Sequence, residues 1–70
     1  MDRETVESSN IESIGYDAGS GILEVEFKGG SVYQYRGIPQ EMYDELREAD
    51  SVGSFIHRRI KNVFEYERIE

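Results

Sequence analysis

Seventy residues with fifteen acids, eight lysines and arginines and a net charge of −7 describe one small acidic domain, residues 1–70. There is no cysteine and only one histidine, which removes disulfide staples and thiolate metal sites and argues against an imidazole-built zinc site; no cofactor is expected. No apolar run approaches the roughly 20 residues that span a bilayer, and the polar start MDRETVESSN is unlike a signal peptide, so a soluble, cytoplasmic protein with no membrane partner is expected.

In chain order, the ordered core is expected over about residues 8–69, beginning with strands. NIESIGYD alternates Ile14 and Tyr16, with Ile11 one step out of phase, and DAGSG then supplies turn residues. ILEVEFK is a cleaner strand, with Leu23, Val25 and Phe27 facing one way and Glu24, Glu26 and Lys28 the other, as a solvated face. Gly29-Gly30 marks a hairpin, and SVYQYR returns.

Hairpin register decides where Tyr33 and Tyr35 go. A two-residue Gly29-Gly30 loop places both tyrosines beside Glu24 and Glu26 on the outer face. A three-residue Lys28-Gly29-Gly30 loop, closed by Gly30 as a left-handed bulge residue, sets Val25 opposite Tyr33 and Leu23 opposite Tyr35. The second register gathers Leu23, Val25, Phe27, Tyr33 and Tyr35 on one face and leaves Glu24, Glu26, Val32, Gln34 and Arg36 on the other. It separates apolar from polar far better and is the one expected, with the tyrosines mostly in the core.

The second half reads as helices. Pro39 fits a first helical position, and Met42, Tyr43, Leu46 and Ala49 form one apolar stripe behind it. Asp50-Ser51 is a natural cap for a second helix, whose stripe is Val52, Phe55, Ile56, Ile60 and Val63. Arg59 falls within that stripe, so its stem is expected at the interface or paired with a carboxylate of the first half. The tail FEYERI alternates, as a short final strand or an extended arm. The fold expected is α+β: a three-stranded antiparallel meander followed by two α-helices packed on one face. Its core draws on Ile14, Tyr16, Leu23, Val25, Phe27, Tyr35, Met42, Leu46, Phe55, Ile56 and Ile60.

Charge is unevenly spread: residues 1–50 carry −8, residues 51–64 carry +3 with no acid, and residues 65–70 carry −2. The basic island, with Arg58 and Lys61 on the far side of the second helix and His57 at its margin, is the sequence's one candidate for anion contact. With Tyr33, Tyr35 and Arg36 it forms the expected binding set for single-stranded RNA, which is held by aromatic stacking and phosphate contacts. The competing reading is a protein-docking domain without nucleic-acid binding, the basic island orienting a partner on an acidic body. Catalysis is not expected: Ser54 and His57 lack a third, orienting group, and Gly29-Gly30 is hairpin chemistry rather than a phosphate loop.

SSNIESIGYD, LEVEFKGGSVYQY, GIP and S-x-G-S-F-x-x-R-x-I-K, in that order, resemble the KTSC domain, a small domain found at the C-terminus of some lysyl-tRNA synthetases and as free-standing bacterial proteins. The resemblance runs from about Val6 to Ile69, with the family's Tyr-x-Tyr motif at Tyr33 and Tyr35 and its helix pattern at Arg58, Ile60 and Lys61. Phe55-Ile56-His57 departs from a common Tyr-Phe-Asn, and Phe64-Glu65-Tyr66 from Tyr-Pro-Tyr. The attachment to a synthetase that the resemblance implies suits tRNA-like RNA or a protein partner equally; any RNA binding is expected to be weak because the body is acidic, and oligomeric state is left open.

Overall fold

The computed structural model describes residues 1–70 and contains one five-stranded antiparallel sheet in the order β1-β2-β3-β4-β5. The strands are β1 (Glu4–Thr5), β2 (Ile11–Asp17), β3 (Ile22–Phe27), β4 (Val32–Tyr35) and β5 (Tyr66–Arg68). Between β4 and β5 lie α1 (Gln40–Glu48) and α2 (Val52–Phe55), the latter running directly into a π-helical turn, Ile56–Ile60.

The expected meander is therefore the centre of a wider sheet. Residues 4–5 add one edge and residues 66–68 the other, so the tail is a strand. Neither edge strand has the length or buried alternation that marks a strand in sequence, since every residue in both is exposed.

The β3–β4 hairpin adopts the three-residue register. Leu23 pairs with Tyr35 and Val25 with Tyr33, and the Gly30 N–H donates to the Phe27 carbonyl with Gly30 at φ 98°. In β2 the register shifts between Ile11 and Ser13. That bulge absorbs the phase error in the sequence: Ile11 returns to the face of Ile14 and Tyr16, where it is buried.

The helices cover this face, and the core comprises Ile11, Ile14, Leu23, Val25, Tyr35, Ile38, Leu46, Val52, Phe55, Ile56 and Ile60. Tyr16, Phe27, Tyr33 and Met42 pack at its margin. Tyr16 stacks on Tyr43 of α1 with centroids 4.6 Å apart and donates its hydroxyl to the Ile38 carbonyl, joining sheet, loop and helix. Val32 is buried outside this cluster, where its N–H and C=O are both bonded to the C-terminal backbone at Ile69 and Glu70.

The far face of the sheet differs from the solvated surface expected. Glu24 is buried, bonded to Arg3 Nη1 at 2.6 Å and to Gln34 Nε2 at 2.8 Å. Ser13 Oγ donates to Glu26 Oε1 at 2.8 Å, and Arg3 lies 3.9 Å from the same oxygen. The N-terminal segment brings Arg3 there, a tertiary placement that strand alternation cannot foresee.

The helices also depart in detail from the sequence pattern. Pro39 is the residue before α1 rather than its first, and its carbonyl accepts from Met42 and Tyr43. Ser51 caps α2 through its side chain, accepting from the Ser54 N–H. The helix ends at Lys61, whose N–H bonds to the Ile56 carbonyl five residues back, and Asn62 follows at φ 68°. Val63 consequently lies beyond the stripe and is exposed. The wide turn also brings Arg59 out of the interface. It is 3.6 Å from Glu45 of α1, not from a carboxylate of the first half, and its guanidinium lies 5.1 Å from the Phe55 ring centroid. No helix is long and apolar enough to cross a membrane.

Candidate binding groove

A groove of about 430 Å³ opens between the helix-facing side of the β3–β4 hairpin and the α2–π segment. Phe27, Ser31, Tyr33 and Tyr35 line the sheet wall, Gly53, Ile56, His57 and Lys61 the helix wall, and Asn10 and Ile11 close one end. Strand alternation puts Tyr33 and Tyr35 on the same side as Phe27. The π turn presents His57 and Lys61 across from them while Ile56 and Ile60 stay buried.

The aromatic wall extends onto β5. Tyr66 stands opposite Tyr35, with its ring centroid 5.6 Å from Tyr33 and 5.7 Å from Tyr35. Tyr33 and Tyr35 lie 6.4 Å apart and nearly parallel, and Phe27 meets Tyr33 edge-on at 5.4 Å. Tyr35 is 3% exposed and supplies structure rather than an open ring face, Tyr33 is half-buried, and Tyr66 is exposed. Burial, followed by Tyr33 and Tyr66, raises the Tyr35 phenol above the ordinary 10.0.

Four of the six residues expected at a site, Tyr33, Tyr35, His57 and Lys61, thus line one groove. Arg36 and Arg58 do not. Arg36 projects from the opposite sheet face and is held by Glu67 at 2.6 Å. Arg58 stands exposed on the helix, outside the lining. Tyr66 lies outside the expected set because its place beside Tyr33 and Tyr35 needs β5 to pair with β4; the only sequence signal is the alternation of the tail.

Charge sets this groove apart. None of its ten lining residues is acidic, although fifteen of the chain's seventy residues are. Arg3, Arg36, Arg47 and Arg59 are engaged by carboxylates. Lys61 forms no such pair; the other bases without one, Lys28, Arg58 and Arg68, lie outside the lining. The second concavity, between β1 and α1, has the opposite character, with Glu4, Glu7, Asp44, Glu48 and Asp50 around Arg47.

These features define a small α+β domain with an aromatic, carboxylate-free groove under its second helix. The chain belongs to the KTSC domain family, whose model matches residues 7–64. A KTSC domain protein of Yersinia pestis, known from its crystal structure, superposes with a TM-score of 0.92 at 38% identity, covering 99% of this chain and 97% of that one. An uncharacterized protein of Stutzerimonas stutzeri is 41% identical over the full length of both chains. A lysine–tRNA ligase of Trichormus variabilis is 38% identical over 63 residues, which make up 90% of this chain but 11% of the ligase.

Proposed function

We propose that this domain is a non-catalytic interaction module that binds a short single-stranded segment of RNA in the groove beneath α2. The observation carrying this reading is the carboxylate-free groove, walled by Tyr33 and Tyr35 and edged by Lys61 and His57, on a chain of net charge −7. An unstacked base fits against the half-buried Tyr33 ring, and Lys61 meets the adjoining phosphate. The rest of the surface repels a polyanion, so the contact is short, weak and sensitive to salt. The likeness to part of a lysine–tRNA ligase places a similar domain within an enzyme named for a tRNA, which favours RNA over other anions.

The test is a fluorescence anisotropy titration with labelled single-stranded RNA, and separately with tRNA, at several salt concentrations. Each neutralised phosphate contributes roughly −0.7 to the log–log slope for single strands, so contact through Lys61 gives about −0.7 and one further cation about −1.4. Lys61→Glu, at an exposed position, is expected to lower affinity at least about tenfold and make the slope shallower. Arg58→Glu, outside the groove, is expected to do much less. Absence of binding at low salt refutes the reading.

A further inference from the structure

The outer edge of β5 carries groups used neither by the fold nor by the groove. In the ladder with β4, the Arg36 N–H donates to the Glu65 carbonyl and the Ile69 N–H to the Val32 carbonyl, with Glu67 opposite Gln34. Antiparallel ladders engage alternate residues of a strand, so the N–H and C=O groups of Tyr66 and Arg68 point away from β4. The same segment concentrates exposed apolar surface. Val63, Tyr66 and Ile69 are 65%, 54% and 41% exposed, and Met1 is the only other large apolar side chain so open. The sheet's other edge is guarded: β1 is two polar residues long, and Arg47 of α1 holds Glu4 at 2.9 Å.

Charge chooses the occupant. Residues 65–70 carry Glu65, Glu67 and Glu70 against Arg68, on a chain of −7; Glu67 also holds Arg36 of the neighbouring strand at 2.6 Å, while Glu65 and Glu70 have no such pair. A second copy pairing antiparallel through Tyr66 and Arg68, with each sheet face kept on its own side, centres on Glu67. That sets two Glu67 carboxylates directly opposite, each shared with its own Arg36, and brings together two bodies of charge −7, which is unfavourable. A basic strand meets the opposite situation.

We infer that the free edge of β5 is a docking site for an extended, basic segment of a partner protein, which adds as a sixth strand. Its bases face Glu65 and Glu67 on the outer side of the sheet, and its alternate apolar residues lie against Tyr66 on the helix side. The bound strand continues the aromatic wall away from the groove, so this surface adjoins the proposed RNA site without using Lys61 or His57.

The experiment uses the full chain labelled with ¹⁵N, and a capped peptide of alternating lysine and valine as probe. The same peptide with glutamate replacing lysine is the control. Binding is expected to slow hydrogen exchange selectively at the Tyr66 and Arg68 amides, and the glutamate peptide is expected to have no effect. Arg68→Pro removes an outward amide while leaving the bonds to β4, and is expected to abolish binding; Arg68→Gln, which keeps the amide, retains it. Glu67→Lys is expected to weaken the lysine peptide and admit the glutamate peptide, a reversal that loss of folding does not produce. Equal binding of both peptides, protection elsewhere in the chain, or no binding overturns the proposal. So does self-association in sedimentation equilibrium with the same two amides protected in the absence of peptide, which assigns the edge to a second copy. Lys61→Glu leaves peptide binding intact, so failure of the RNA reading and failure of this one are read separately.

Discussion

Glu24 shows how far one residue's environment can depart from its sequence pattern. Its place in ILEVEFK is a solvent-facing one, yet its side chain is 9% exposed and both its oxygens are bonded, one to Arg3 and the other to Gln34. Gly15 makes room for this arrangement. A Cβ there meets the Asp2 carbonyl at 2.5 Å and the Arg3 Cγ at 3.0 Å, so a side chain displaces the segment that delivers Arg3. Burial acts in the same direction on Tyr35 and Tyr43, raising both above 10.0: desolvation leads in each case, and at Tyr43 Glu4 and Asp44 oppose Arg47. The unfolded chain therefore ionises first as pH rises. The contribution of these phenols is fully present below about pH 10 and is lost as pH climbs through their folded-state values. Thermal unfolding followed from about pH 9 to about pH 11.5 is expected to show a falling midpoint, with a shallower fall in Tyr35→Phe. An equal fall in the two proteins contradicts the assignment.

At the scale of elements, the hairpin and the second helix make an instructive pair. The β3–β4 register was legible because only one loop length puts all the apolar residues on one face, and a one-residue slip reverses every side chain. The start of α2 was legible for a similar reason, since Ser51 followed by the Val52, Phe55, Ile56 spacing is a cap leading a stripe. Its end was not. A regular 3.6-residue period carries the stripe on to Val63 and places Arg59 within it, whereas the π turn ends the helix at Lys61 and releases both to the surface. Asn62, at φ 68°, reverses the chain immediately afterwards. Asn62→Gly is expected to be neutral or slightly stabilising, and Asn62→Val to cost about 1–2 kcal/mol, read from urea midpoints. A tolerated valine shows that this turn does not require the left-handed conformation.

For the whole molecule, the two edge strands matter more than their length implies. Both lie outside the residues matched by the family model, 7–64, which contain the meander and the helices. Yet β5 pairs the open edge of β4, brings Tyr66 against Tyr33 and Tyr35, and encloses Val32. A chain ending at Phe64 keeps the matched region but uncovers Tyr35 and the β4 ladder. It is expected to lose about 2 kcal/mol, lowering Tm by roughly 8–16 °C for a domain of this size, and to aggregate through the bared edge. Calorimetry and light scattering on the truncated chain check this; an unchanged midpoint shows that β5 is dispensable.

The sequence by itself determined the α+β class, the central hairpin with its register, the apolar face of the first helix and of the start of the second, and the clustering of bases at residues 58–61. These follow from spacings of a few residues, where period, turn chemistry and capping act locally. Tertiary structure alone decided that two short, exposed segments complete the sheet, that Arg3 crosses to Glu24, and that Tyr33, Tyr35, His57 and Lys61 share a groove while Arg36 and Arg58 do not. Each of these joins parts of the chain far apart in sequence through backbone pairing or a single charged contact. Such contacts are stabilised by neighbours that local periodicity does not encode.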